Sequence, residues 1–141
     1  MDRNASAIWH GDLKTGSGTL TTQSHTLDNT QYSFKSRFEE GTGTNPEELI
    51  AAAHAGCFTM ALSAQLSSAE FPPTTLETTA AVTLETTEDG PTVTKIHLVT
   101  KATVPGIDVD KFSDLAKKAK EGCPISRLLK AAEITLDATL L

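Results

Sequence analysis

Two cysteines, Cys57 and Cys123, are the residues of this sequence best suited to covalent chemistry. A thiolate attacks a peroxide, and the sulfenic acid that results condenses with a second thiol, so a pair of sulfurs that can meet is enough for a redox cycle. Buried cysteines are more often inert, and composition alone leaves both readings open.

Cys57 stands among Ala53, Met60, Ala61 and Ala64, an apolar setting that by itself raises a thiol's pKa. An unperturbed thiol, with pKa about 8.5, is only a few per cent ionised at pH 7, and bringing it to about 6 takes roughly 3 kcal/mol. A nearby cation is the obvious source. The arginines are Arg3, Arg37 and Arg127, and Arg37 is the best placed, shortly before the segment that holds Cys57. The alternative for Arg37 is an exposed residue of a strand, with Lys35 and Glu39 on its own face. Cys123 lies between Gly122 and Pro124, where it can cap the short helix that follows. Free amides there favour a thiolate and suit a resolving or leaving sulfur, against the plainer alternative of a half-buried turn cysteine.

His54 is one helical turn before Cys57, so a Cys/His pair is geometrically possible. No third residue to orient the imidazole is evident, and a packing or hydrogen-bonding histidine is the competing reading. His10, His25 and His97 fall on separate elements, and with neither CxxC nor HExxH spacing no metal site is expected. Gly16-Ser17-Gly18 leads into a strand instead of a helix, which excludes a phosphate-binding loop.

The elements that must position these residues follow from periodicity and punctuation. Strands are expected at Ala5 to His10, Gly18 to Ser24 and Gln31 to Phe38, divided by turn-forming stretches. Asn45 as cap, Pro46 at the first helical position and Glu48 as capping-box partner start a helix that runs to about Ser68 and stops before Pro72-Pro73. Its circumference is small or apolar nearly all round, which suggests two such helices meeting in a dimer. A strand from Leu76, a turn at Asp89-Gly90 and a return strand through Val104 make an antiparallel pair. A helix from Val109 to Glu121, a short helix to Leu129 and a strand ending at Leu140 complete the chain.

With 141 residues the chain is expected to form a single domain, residues 1–141. Eighteen acidic residues against twelve Lys and Arg give a net charge of −6, which argues against nucleic acid as a partner. Met1, Asp2, Arg3 and Asn4 do not resemble the start of a secretory signal, and no apolar run of membrane-spanning length is expected, so the expected location is the cytoplasm and no membrane partner is expected. A reducing cytosol disfavours a permanent structural disulfide.

The run Thr44-Asn45-Pro46-Glu47-Glu48-Leu49-Ile50-Ala51-Ala52-Ala53-His54-Ala55-Gly56-Cys57-Phe58 resembles the central-helix motif of the OsmC/Ohr family, and Gly122-Cys123-Pro124-Ile125-Ser126 resembles its second motif. The His54 form of the first is more similar to the OsmC branch. This resemblance implies an α+β fold in an intertwined homodimer, with long central helices and bent antiparallel sheets outside. It implies a peroxidase of organic hydroperoxides in which Cys57 attacks and Cys123 resolves, Arg37 stabilises the thiolate and Glu47 orients Arg37. No bound cofactor is implied; an external thiol or dithiol restores the enzyme. Glu47 precedes Cys57 by ten residues, about 15 Å along a helix, so the Glu47 that serves a given Cys57 is expected from the other subunit. The apolar wall around Cys57 favours alkyl or lipid hydroperoxides over hydrogen peroxide. Rival functions are a dimeric carrier of apolar ligands, a redox sensor without turnover, and a general disulfide oxidoreductase, the last disfavoured by the missing CxxC.

Overall fold

A computed structural model describes residues 1–141. The chain's contacts gather into two units, Met1–Leu49 and Ile50–Leu141. In the first, β1 (Ala5–His10), β2 (Ser17–Thr22) and β3 (Thr30–Tyr32) form an antiparallel sheet in the order β1-β2-β3. The sequence predicted that the third strand would run to Phe38, but it ends at Tyr32 and residues Phe34–Phe38 form a short helix, α1. The cause is Ser33. Its hydroxyl accepts from the Ser36 amide at 3.1 Å while the Ser36 hydroxyl accepts from the Ser33 amide at 2.8 Å, a reciprocal cap that outweighs the strand propensity of the flanking aromatics.

Gly43 brings the chain back onto β3. Its φ of +115° is one that side-chain-bearing residues avoid, and a Cβ there would stand 2.4 Å from the Gln31 carbonyl oxygen. Thr44 thereby bonds the Gln31 carbonyl at 2.9 Å and bridges Tyr32. The long helix α2 (Pro46–Ser68) starts where expected, with Asn45 Oδ1 accepting from the Glu48 amide at 2.8 Å. It ends by the chain turning left-handed at Glu70, φ 67°, so that the Phe71 amide reaches back to the Leu66 carbonyl at 2.9 Å.

In the second unit, β4 (Thr75–Thr87) pairs antiparallel with β5 (Gly90–Thr103), with a register slip between Thr83 and Leu84. Two helices, α3 (Val109–Gly122) and α4 (Pro124–Leu128), then carry the chain back, and β6 (Glu133–Leu140) lies parallel to β5. This pairing departs from the all-antiparallel expectation because a connection containing helices returns the chain to the end from which β5 began. Phe58, Leu62 and Leu66 of α2, Leu98 and Ala102 of β5, and Phe112, Ala116 and Ala119 of α3 form the core, each buried to within about 1%. Burying each of the larger of these side chains contributes roughly 1.5–3 kcal/mol.

The expectation that no apolar run reaches membrane-spanning length needs correction. α2 is 23 residues long and contains an 18-residue window of mean hydropathy 1.4, enough to cross a bilayer by length and composition. Its apolar character has another use here, since Phe58, Leu62 and Leu66 pack into the core of the second unit.

Candidate active site

The second unit brings the two cysteines together. Cys123 is fully buried and Cys57 partly so; both are free thiols, and their sulfurs lie 2.8 Å apart across 66 positions of sequence. That is well inside van der Waals contact, with the sulfurs still farther apart than the roughly 2.05 Å of a disulfide bond. α2 supplies Cys57 from mid-helix, and α3 and α4 supply Cys123 from their junction, where it is at once the C-cap of one and the N-cap of the other. The Cys123 amide donates to the Ala119 carbonyl at 2.9 Å, and its sulfur accepts from the Ser126 amide at 3.5 Å. The expected capping role of Cys123 is therefore present.

The two thiols are not equivalent. Burial pushes Cys57 up from the usual thiol value, and its hydrogen bond with Cys123 pushes it further, while the Ile125 amide opposes. Burial acts on Cys123 in the same direction, yet the neighbouring Cys57 thiol, the amide and hydroxyl of Ser126 and the Ile125 amide together bring it below the usual value. Burial opposes ionisation of both sulfurs, and a cation beside Cys57 would favour its thiolate.

His54 is completely buried on the stripe of α2 that carries Phe58, Leu62 and Leu66. Its Nε2 lies 2.7 Å from Ser126 Oγ, and burial depresses its pKa, so the ring is neutral. Ser126 is the orienting residue that the sequence did not reveal. The available signal was its place three residues after Cys123, where a helix amide meets its cap.

In the first unit, Arg37 and Glu47 form a fork. Arg37 Nη2 is 2.9 Å from Glu47 Oε1, and Arg37 Nε is 3.3 Å from both carboxylate oxygens. Arg37 belongs to α1 and not to a strand, which removes the expected strand-face relation with Lys35 and Glu39; its partner is Glu47. Local bonds fix this geometry: Ser36 Oγ donates to the Thr44 carbonyl at 2.8 Å and Asn45 Nδ2 to the Ser36 carbonyl at 3.2 Å, which ties α1 to the start of α2. The guanidinium also sits 5.1 Å from the Phe38 ring centroid and borders a recess of about 290 Å³ walled by Trp9, Tyr32, Phe34, Phe38 and Pro46.

No group of three or more His, Cys, Asp and Glu side chains is arranged to hold a metal.

Comparison with known proteins agrees with the motifs. Residues 39–138 match the family model described as OsmC-like protein. The chain is 51% identical to the peroxiredoxin OsmC of Escherichia coli (strain K12) over 140 residues, 99% of this chain and 97% of that protein. Among solved structures it is similar to an organic hydroperoxide resistance protein OsmC from Legionella pneumophila, at 26% identity and TM-score 0.71 with 96% of each chain covered. The fold is shared with the organic hydroperoxide resistance protein OhrB of Bacillus subtilis, at TM-score 0.68, 24% identity and 98% coverage of both chains. With the two cysteine motifs in place and a near full-length relative at this identity, the chain belongs to the OsmC-like family, on its OsmC branch.

Proposed function

We propose that this protein is a cysteine-based peroxidase that reduces organic hydroperoxides to alcohols, with Cys57 as the attacking thiolate and Cys123 as the resolving thiol. The observation that carries this reading is the 2.8 Å approach of two free sulfurs in unequal environments. The 51% identity to a protein named a peroxiredoxin supports it.

The Cys57 thiolate attacks one peroxide oxygen; the O–O bond breaks, the alkoxide leaves and takes a proton as the alcohol, and Cys57 is oxidised to a sulfenic acid. Cys123 then attacks the Cys57 sulfur. An S–S bond forms, the S–O bond breaks, and the hydroxyl leaves as water with the proton Cys123 gave up. An external thiol or dithiol reduces the disulfide and is itself oxidised. The peroxide is the only oxidant needed and no bound cofactor takes part.

Because burial opposes ionisation of Cys57, a cation must come to it, and Arg37 held by Glu47 is that cation. On the ten-residue spacing between Glu47 and Cys57, the pair serving one Cys57 comes from the second subunit of a homodimer. The face of α2 bearing Ala53, Gly56, Met60 and Ala64 supports this arrangement, being small or apolar yet exposed on its own chain, with Met60 76% accessible. The aromatic recess beside Arg37 suits the organic tail of an alkyl or lipid hydroperoxide, which favours such substrates over hydrogen peroxide. The protein works in the cytoplasm on a small molecule, and the net charge of −6 disfavours nucleic acid as a partner.

The test is turnover of cumene hydroperoxide with dithiothreitol. Many turnovers per subunit, lost in Cys57→Ser, are expected. A single stoichiometric oxidation with no turnover would instead make the protein a redox sensor.

A further inference from the structure

We propose that His54 and Ser126 form a hydrogen-bond chain behind the resolving cysteine, in which His54 Nε2–H donates to Ser126 Oγ and the Ser126 hydroxyl donates to the Cys123 sulfur. The chain favours ionisation of Cys123, aimed at Cys57, once Cys57 has become the neutral sulfenic acid, which makes His54 and Ser126 positioning residues for the second chemical step. The inference rests on the reading of Cys123 as the resolving thiol.

The geometry begins with a buried imidazole that the peroxidase cycle does not otherwise use. His54 has no exposed surface, touches Ser126 Oγ at 2.7 Å through Nε2, and leaves Nδ1 buried with no hydrogen-bond partner. A neutral ring carries one proton, and its placement decides the direction of the chain. On Nδ1 it would be a buried N–H with no acceptor, among the rarest defects in folded proteins. Nε2 would then draw the Ser126 proton toward itself and away from the sulfur. On Nε2 the proton makes the 2.7 Å bond, and only a lone pair is left unpartnered at Nδ1.

With Nε2 as donor, the Ser126 hydroxyl keeps its own proton free to donate. The Ser126 amide is already directed at the Cys123 sulfur at 3.5 Å, and the Ser126 hydroxyl also acts on that thiol in the direction of ionisation. The other polar groups acting on the Cys123 sulfur are the Cys57 thiol from α2 and the Ile125 amide of α4. His54 and Cys57 are one turn apart on the same helix, so α2 contacts the α4 end of the site through two side chains: one carries the sulfur to be resolved, and the other sets the thiol that resolves it. In the resolving step no net proton moves along the chain. The thiolate attacks, the S–O bond of the sulfenic acid breaks, and the departing hydroxide takes the proton that Cys123 released earlier.

A packing role for the pair would also hold α4 against α2, so the test must separate positioning from stability. In a Cys57→Ser background, the Cys123 thiolate is titrated by its ultraviolet absorbance in the parent, His54→Leu, Ser126→Ala and His54→Gln. The Leu and Ala substitutions should raise the Cys123 pKa by roughly one unit, and Gln, whose Nε2–H can replace that of His54, should restore most of it. With both cysteines present, single-turnover oxidation by cumene hydroperoxide should form the Cys57 sulfenic acid at the parent rate within about twofold. Disulfide formation in Ser126→Ala should slow about tenfold, the counterpart of one pKa unit, and dimedone should trap the accumulated sulfenic acid. Unchanged Cys123 titration with unchanged disulfide formation in Ser126→Ala would overturn the inference, as would equal slowing of both steps. Failure of the unsubstituted protein to form any Cys57 to Cys123 disulfide would overturn the underlying reading, a different result because it needs no substitution at His54 or Ser126.

Discussion

Glu47 holds Arg37 from the first turn of α2, its Oε1 2.9 Å from Nη2 and both its oxygens 3.3 Å from Nε. A two-point grip of this kind fixes the plane of the guanidinium as well as its position, which a lysine cannot reproduce. Arg37→Ala should raise the Cys57 pKa, because the cation that favours its thiolate is lost, and peroxide reduction near neutral pH should fall by roughly tenfold or more. Arg37→Lys should recover only part of this, and Glu47→Gln should cost less than Arg37→Ala. Titration of Cys57 in a Cys123→Ser background, together with the rate of peroxide consumption, reads both effects.

His54 gives the fold a pH dependence of known sign. Burial lowers its pKa from the ordinary 6.5, so above that value both folded and unfolded chains carry it neutral and its packing stabilises fully. As the pH falls below 6.5, the unfolded chain takes up a proton that the folded chain refuses, and stability drops by up to about 1.36 kcal/mol per pH unit. The drop continues until the pH reaches the lower, folded pKa. Urea unfolding from pH 8 to pH 5 should show this slope in the parent and a shallower one in His54→Leu.

The exposed apolar face of α2 should be an interface between two copies of the chain. Ala53→Glu places a charge on that face, beside Gly56 and Met60, without touching the buried stripe of His54, Phe58 and Leu62. It should weaken the homodimer by about 3 kcal/mol or more, ~100-fold in Kd, with peroxidase activity lost in parallel. Sedimentation velocity across a concentration series is the measurement. A fully active monomer would separate catalysis from dimerisation.

Gly43→Ala should disturb the first unit out of proportion to one methyl group. The residue keeps a φ of +115° with the Gln31 carbonyl oxygen 2.4 Å from any Cβ, so the segment from Thr44 to Asn45 must move away from β3. The expected cost is about 1–3 kcal/mol, together with a loosened Arg37 and Glu47 pair. Unfolding curves and peroxidase rates should both register the change.

Much of this was readable from residue types, and the parts that were not share a cause. Asn45, Pro46 and the twin prolines after Phe71 announced both ends of α2 because capping and proline sterics are local. Gly122-Cys123-Pro124 likewise marked the helix junction that carries the second thiol. Arg37 was assigned to a strand because the aromatic residues Tyr32, Phe34 and Phe38 mimic strand alternation, while the deciding signal was a serine pair whose two hydroxyls cap each other across one turn. The parallel pairing of β6 depends on where two helices return the chain, and no residue within β6 encodes that. The contact of His54 with Ser126 spans 72 positions, so neither residue's neighbourhood discloses the other.

Mass analysis after one equivalent of cumene hydroperoxide tests the central claim most directly. The account expects each subunit to lose two hydrogens and to yield, on proteolysis, one peptide pair joined through Cys57 and Cys123, whose sulfurs already stand 2.8 Å apart. Stable oxygen adducts on Cys57 with Cys123 still alkylatable, in a protein that goes on turning over, would contradict it.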